Sequence, residues 1–448
     1  MSPSLNAKIK IGRRSGSDVV GLDIQPGLIA AAQVRVNGAI LAEQAAAAEL
    51  PADAMREGDV ADPAALTQAL RELFASSRLG KRVRVGVANQ RTVMRTLELP
   101  PVSDAKELAA AVRFQAQDQI PMPLASAVMD FHALGVVDTP AGPRQKVVVV
   151  AAQRDMIDRL LTVLRDAGLT PVGIDLSAFA LIRSLHTSAP EEAGRVLYLN
   201  VDGLTNVAIA EGTVCHFTRV VGGGFEEMAL ELAERRGVPL TEARALLAAV
   251  DLSASEPEEA SLLRRSGAGP EDPTEVHASD PSDAEGEQVV SSEPAEDQLD
   301  IDALEADAAS GDVAHEEPET GAPYPRKAPS EHAAAAPLTE PPPAPSEASQ
   351  PNDAEARLVL ENGVRAISSE VRNSLDFHRS QGGGGDVTRV VLSGLVLDLP
   401  GFAEALQASL GVDVHPAAVA VADESLAGRV STHRLAVAAG LAAAEVPQ

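Results

Sequence analysis

Aromatic residues, cysteines and long apolar runs are scarce in this chain of 448 residues. Its single cysteine, Cys215, excludes a disulfide within the chain and is typical of a reducing compartment. No run of eighteen apolar residues occurs, and the basic start around Lys8 and Arg13 leads into no apolar signal core. Ten aromatic residues and no stripe of lysine and arginine argue against a nucleic-acid partner. These absences predict a cytoplasmic protein without direct membrane insertion.

Negative charge is concentrated in one segment of the chain. The formal net charge is −28, and residues 253–355 hold 26 acidic side chains against 4 basic ones. The same segment contains 15 of the 31 prolines and one aromatic residue, Tyr324. Such a composition buries too little apolar surface to offset chain entropy, so we expect a disordered acidic insertion. Helical patterns at 225–250 and 355–381 flank it, which indicates that it interrupts a fold.

The remaining sequence alternates apolar strand patterns with amphipathic helix patterns, as α/β proteins do. Asp62 followed by Pro63 predicts a helix start, and Gly168 predicts the end of a helix over 154–167. Further helices are predicted over residues 104–119, 225–250 and 355–381. Strands are predicted over residues 19–24, 28–36, 40–46, 83–88, 146–152, 196–201, 207–210, 214–219 and 387–393.

One pattern occurs twice, at residues 19–46 and 196–219: a strand, an acidic turn, a strand, a glycine turn and a strand. The acidic residue is Asp23 in the first copy and Asp202 in the second. A duplicated unit of this kind predicts two lobes, with the two carboxylates facing each other across a cleft. Paired carboxylates suit a hydrated Mg²⁺ at the phosphates of a nucleotide.

The duplication resembles that of the actin-like ATPase superfamily. Residues 92–135, TVMRTLELPPVSDAKELAAAVRFQAQDQIPMPLASAVMDFHALG, closely resemble the PilM family of pilus-assembly proteins. Residues 358–381, LVLENGVRAISSEVRNSLDFHRSQ, are similar to that family's helix before the last sheet strands. The resemblance implies an α/β, two-lobed duplicated actin-like fold, similar to FtsA and PilM, with a small inserted α/β subdomain and the long acidic insertion.

The resemblance also implies a function. It is that of a cytoplasmic scaffold of a type IV pilus assembly machine, held at the inner membrane by its partner. That partner is a PilN-like membrane protein, whose N-terminal cytoplasmic peptide binds the inserted subdomain. Five residues of the helix at 104–119 are expected to contact the peptide: Leu108, Ala111, Val112, Phe114 and Gln115.

These patterns divide the chain into six parts. They are a flexible basic N-terminus (1–17), the first-lobe core (18–99 and 173–194), the inserted partner-binding subdomain (100–172), the second-lobe core (195–221 and 386–448), a helical part of the second lobe (222–252 and 356–385) and the acidic insertion (253–355).

The cofactors that the resemblance implies are ATP and Mg²⁺. The candidate residues are Asp23, Asp202, Gly203, Thr205, Gly222, Gly223 and Gly394, with Asp23 and Asp202 for the metal. The first phosphate turn departs from the family pattern, because Gln25 and Pro26 replace a glycine and hydroxyl residues and Ala30 stands at the lysine position. Pro26 offers no backbone N–H to a phosphate. We therefore predict weak or no ATP binding, assign no catalytic residue and favour a binding protein over an enzyme.

Two alternatives stay open. An ATP-binding ATPase or small-molecule kinase of the same superfamily would need intact phosphate turns. A membrane-associated filament protein like FtsA would need a C-terminal amphipathic helix with basic and aromatic residues. Residues 434–448 are rich in alanine and contain no aromatic residue, so the sequence does not favour the filament protein.

Overall fold

The computed structural model describes residues 18–187, 194–254, 353–380 and 385–443. The basic N-terminus predicted over 1–17 and nearly all of the acidic insertion predicted over 253–355 lie outside these ranges. Among the described residues, no helix has the length and apolar character that crossing a membrane requires.

The first lobe is built on a six-stranded sheet. Its strands are β1 (Val20–Gln25), β2 (Leu28–Val36), β3 (Ile40–Glu49), β6 (Arg82–Val87), β10 (Thr170–Leu176) and β16 (Ala420–Val421), in the order β10-β6-β1-β2-β3-β16. A small hairpin, β4 (Met55–Arg56) and β5 (Asp59–Val60), follows β3. Helices α1 (Pro63–Ser76) and α3 (Arg154–Asp166) pack on one face of the sheet, where Leu66, Leu70 and Leu164 are buried.

The second lobe repeats this plan with five strands. They are β11 (Arg195–Val201), β12 (Thr205–Glu211), β13 (Val214–Val221), β14 (Val387–Ser393) and β15 (Val414–Pro416), in the order β13-β12-β11-β14-β15. Its core is closed by α5 (Phe225–Arg236), α6 (Leu240–Ala248), α7 (Ala354–Ser380) and α8 (Phe402–Leu410). A short helix, α9 (Glu424–Ala427), follows β16, where the chain has already returned to the first-lobe sheet.

A shared core joins the two lobes. Helices α4 (Ser177–Leu185) and α10 (Ala436–Ala442) contribute to one buried apolar cluster together with residues of β2 and β11. They approach closely, because a Cβ on Gly440 would lie 1.8 Å from the carbonyl oxygen of Ala180. Only glycine fits at that crossing, so the close packing of α10 on α4 requires it.

The inserted subdomain is a three-stranded antiparallel sheet covered by one helix. Strands β7 (Val93–Leu99), β8 (Ala127–Thr139) and β9 (Gly142–Gln153) lie in the order β7-β9-β8, and α2 (Ala105–Gln119) packs on one face. Helix α3 belongs instead to the first-lobe core. We therefore propose 93–153 as the bounds of this subdomain in place of 100–172.

The alternation of strands and helices is confirmed, and β2 and β14 have the bounds that the sequence predicts. Asp62 caps α1 by accepting hydrogen bonds from the N–H groups of Ala64 and Ala65. The helical sequence predicted over 225–250 forms two helices. Gly237 ends α5 in the left-handed conformation (φ 64°), and α6 starts after Pro239. Helix α7 begins at Ala354, so the end of the predicted insertion belongs to the fold.

The two ends of the predicted insertion meet in the structure. Arg357 donates hydrogen bonds to the carbonyl oxygens of Asp251 (3.0 Å) and Leu252 (3.2 Å). We expect that replacing residues 255–352 by a short Gly-Ser linker shifts the midpoint of thermal unfolding by less than about 4 °C, because loop closure costs little once the ends are adjacent. Calorimetry measures the shift. A fall of more than about 10 °C would show that the segment contributes to the fold.

Candidate functional site

The two acidic turns of the duplicated units lie against each other. The turn after β1 contains Pro26 and Gly27, and the turn after β11 contains Asp202 and Gly203. A Cβ on Gly203 would lie 1.9 Å from the carbonyl oxygen of Pro26, so glycine is required for this approach. The cavity left beside the two turns, which we call the closed cleft, has a volume of about 200 Å³.

Gln25 connects the two turns through its buried side chain. Its Nε2 donates a hydrogen bond to Asp23 Oδ2 (2.9 Å) in the same lobe. Its Oε1 accepts a hydrogen bond from the backbone N–H of Leu204 (3.2 Å) in the other lobe. Backbone N–H groups in such a turn are what a phosphate would bind. That of Leu204 is already occupied by the chain itself.

Both carboxylate oxygens of Asp202 accept hydrogen bonds. Its Oδ1 accepts from the backbone N–H of Leu395 (2.6 Å), and its Oδ2 accepts from Asn200 Nδ2 (2.8 Å). Burial raises the pKa of this carboxyl group in spite of these hydrogen bonds. Each oxygen therefore accepts one hydrogen bond from within the fold.

Asp23 is the less satisfied member of the pair. Its side chain is 2% exposed, and Oδ1 has no hydrogen-bond partner. Burial, followed by the charge of Asp202, raises the pKa of Asp23 to about 7, although the hydrogen bond from Gln25 opposes the shift. The protonated form is therefore the one that the closed turns favour below neutral pH.

The other nucleotide candidates are dispersed. The Thr205 hydroxyl donates to the carbonyl oxygen of Gly223 (3.2 Å). Gly222 and Gly223 line a different cavity and do not face Asp23 across the closed cleft. Gly394 adopts φ 105° and packs on β11, where a Cβ would lie 2.4 Å from the carbonyl oxygen of Val201. Of the predicted set, the structure brings Asp23, Asp202 and Gly203 together.

An ion pair that the sequence analysis missed lies at the mouth of the closed cleft. Arg244 on α6 pairs with Glu226 on α5, with Nε 2.9 Å from Oε2. Its Nη2 also lies 3.4 Å from the carbonyl oxygen of Leu50 in the first lobe. Glu226 follows the triple glycine in the sequence, but no spacing rule links it to Arg244 or to Leu50.

These residues do not fit Mg-ATP. The cavity is smaller than the roughly 300–1,000 Å³ of usual ligand pockets, and Pro26 supplies no N–H group. The N–H of Leu204 is bound by Gln25, and both oxygens of Asp202 are engaged. Within the described ranges, no three histidine, cysteine or acidic residues are grouped as metal ligands would be.

The five partner-contact candidates on α2 separate into core and surface. Val112 is fully buried on the sheet of the inserted subdomain, and Leu108 and Ala111 pack against the same cluster. The prediction that Val112 contacts the peptide is corrected, because a side chain without exposed surface cannot touch a partner. Phe114 is 74% exposed on the outer side of α2, and Gln115 is half-buried.

A second and larger cavity of about 560 Å³, which we call the open cleft, lies between the first lobe, with Met94 of the inserted subdomain, and the second lobe. Strands β7 and β13 border it, and each is the end strand of its own sheet. Three buried side-chain atoms of the residues that line this cleft have no hydrogen-bond partner. They are Thr92 Oγ1, Asn206 Nδ2 and Glu370 Oε2, the last of which forms an ion pair with Arg219 at 3.4 Å.

The model of the family described as type IV pilus assembly protein PilM matches residues 21–246, which is half of the chain. The chain belongs to the PilM family. This result confirms the resemblance noted for residues 92–135.

Comparison with a solved PilM structure confirms the two-lobed fold. A PilM-PilN type IV pilus biogenesis complex matches with a TM-score of 0.61 at 22% identity, covering 95% of this chain and 97% of that one. The ethanolamine utilization protein EutJ from Carboxydothermus hydrogenoformans matches with a TM-score of 0.42 at 14% identity, covering 94% and 88%. MreB5 of Spiroplasma citri, solved with ADP, matches with a TM-score of 0.40 at 10% identity, covering 94% of each chain.

The raised pKa of Asp23 gives this PilM-family protein a pH-dependent stability. When the pKa of a carboxyl group is higher in the folded state than in the unfolded state, its contribution to the stability of the fold is fully present below the unfolded pKa. For Asp23 that contribution is lost as pH rises through about 7. The side chain of the Asp23→Asn variant is neutral at every pH. We therefore expect the unfolding free energy of the variant, relative to that of wild type, to increase between pH 5.5 and pH 8 by more than about 1.4 kcal/mol, the value of one pKa unit.

Urea unfolding at the two pH values measures this gain. Asp53→Asn, at an exposed position, is the matched control. A gain that is the same at both pH values would show that Asp23 is ionised in the folded protein.

The closed cleft also predicts weak nucleotide binding. We expect calorimetry with Mg-ATP to detect no dissociation constant below about 0.1 mM, since the donors that would hold phosphates are engaged or missing. Mg-ADP serves as the companion ligand. Low-micromolar binding of either nucleotide would mean that the turns open to admit phosphate.

Proposed function

We propose that this chain is a cytoplasmic scaffold of type IV pilus assembly that binds the N-terminal cytoplasmic peptide of a PilN-like inner-membrane protein. Membership of the PilM family supports the proposal, as does the fold shared with a PilM solved in complex with PilN. The partner would hold the chain at the membrane. The chain needs no membrane-spanning segment of its own for that role.

The observation that carries the proposal is the open cleft. It is concave, Met94, Leu176 and Val221 contribute apolar surface to its lining, and it contains the unpartnered donor of Asn206. An extended peptide offers what this site lacks, namely apolar side chains and backbone carbonyl oxygens. The free edges of β7 and β13 provide further backbone groups for strand addition.

The charges at the rim suggest the character of the peptide. Glu227 and Glu370 both line the open cleft, and Glu370 is paired with Arg219. Glu227 is exposed there and its carboxylate lies near Gly222. A peptide with a basic residue beside its apolar anchors would complement this rim.

The outer side of α2 is the competing surface, because Phe114 is a large exposed aromatic residue. Four of the eight large exposed hydrophobic residues in the described part of the chain lie on the inserted subdomain: Phe114, Val128, Leu134 and Val136. They do not form a concave pocket, and Phe114 stands on the face of α2 opposite Val112. The open cleft is therefore the favoured site.

Two substitutions separate these surfaces. Asn206→Leu removes a buried donor that has no partner, so we expect stability to stay the same or rise while peptide affinity falls by up to about tenfold, the value of one hydrogen bond. Phe114→Ala removes an exposed ring outside the cleft and should leave affinity unchanged. Fluorescence anisotropy with a labelled partner peptide measures both affinities.

The reverse pattern would contradict the cleft. If Phe114→Ala weakens binding and Asn206→Leu does not, the peptide binds the outer side of α2. If wild type binds no peptide at all, the scaffold proposal fails in this form.

A further inference from the structure

Two side chains bridge the lobes at the closed cleft. Gln25 of the first lobe reaches the N–H of Leu204 in the second lobe, and it is 1% exposed. Arg244 of the second lobe reaches Leu50 and lies 3.6 Å from Glu49, both in the first lobe. Arg244 and Glu49 line the closed cleft, and so do Pro26 and Gly203, the chain neighbours of Gln25 and Leu204.

Each bridge depends on its own lobe for position. Gln25 is held by the hydrogen bond from its Nε2 to Asp23, so its Oε1 points to the second lobe. Arg244 is held by Glu226, whose side chain is 8% exposed and lies against Gly27. A side chain fixed at one end loses little further entropy when its other end binds, which favours the bridged state.

We propose that Gln25 and Arg244 hold the two lobes of this protein together in place of a bound nucleotide, so that partner binding is independent of ATP and ADP. The part concerning the partner rests on the function proposed above. The part concerning the lobes rests only on the contacts at the closed cleft.

The open cleft explains how the bridges would affect a partner. Met94 and Leu176 reach it from the first lobe and its insertion, whereas Asn206 and Val221 reach it from the second lobe. A rotation of one lobe against the other would separate these residues. The shape of the open cleft therefore requires that the closed cleft stay closed.

Three variants of the full chain test the bridges, each with a matched control. They are Gln25→Ala, Arg244→Ala and the double variant. Gln68→Ala removes an exposed glutamine that donates to Glu72 within α1, and Arg235→Ala removes an exposed arginine paired with Glu231 within α5. Circular dichroism confirms that each variant is folded.

The first readout is hydrogen exchange of the Leu204 amide, which a loss of general stability alone would not single out. We expect Gln25→Ala to raise its exchange at least about fivefold relative to amides in the strands β11 and β12, because its acceptor is gone. Gln68→Ala should leave it unchanged. Unchanged exchange at Leu204 in Gln25→Ala would overturn the proposal.

The second readout is the affinity for the partner peptide with no nucleotide, with 1 mM Mg-ATP and with 1 mM Mg-ADP, concentrations of the order that a weak site would need. For wild type we expect equal affinities. For Gln25→Ala and Arg244→Ala we expect a loss of at least about threefold, larger in the double variant and absent in the controls.

The outcomes are distinct. A nucleotide that tightens or weakens binding to wild type more than about threefold would overturn the proposal. If Gln25→Ala does not fold, Arg244→Ala at the mouth of the cleft decides by the same affinity criterion. If wild type binds no peptide, the proposed function has failed, while exchange at Leu204 still decides whether Gln25 bridges the lobes.

Discussion

The contact between the two acidic turns is the constraint on which the structure depends. Gly203 touches the backbone of Pro26, and Gln25 closes a hydrogen bond across the same junction. Asp23 and Asp202 are both buried here, and burial is the main reason that the pKa of each carboxyl group is raised. Residues of the first lobe and of the second lobe line the open cleft, so its shape depends on how the two lobes are placed.

Two residues of the first turn, Gln25 and Pro26, explain why the cleft at the turns is closed. In a phosphate turn, small residues expose backbone N–H groups to an anion. Here Gln25 and Pro26 remove that possibility, since one supplies a side-chain acceptor and the other lacks a donor. The amide that a phosphate would have bound is satisfied by Gln25, so the junction is complete without a ligand.

The fold could be predicted from sequence because its signals are local or repeated. Strand patterns, the cap at Asp62 and the duplicated acidic turns each depend on neighbours along the chain. The break between α5 and α6 is marked by Gly237 and Pro239, although the helical apolar pattern continues on both sides of it.

The candidate site is harder to predict from sequence. Val112 faces the sheet, but the spacing of apolar residues along α2 is the same for a residue that packs in the core and for one that contacts a peptide. The bridge from Arg244 to Leu50 joins residues of different lobes, and no local pattern encodes it.

We infer that the closed junction at the turns supports a peptide site at the open cleft. The decisive experiment is a crystal structure of the chain with the N-terminal peptide of a PilN-like protein, grown with Mg-ATP present. We expect the peptide to lie between β7 and β13, with a carbonyl oxygen at Asn206 Nδ2, and Gln25 to keep its hydrogen bond with Leu204. A nucleotide between the turns, or a peptide on the outer side of α2 at Phe114, would contradict it.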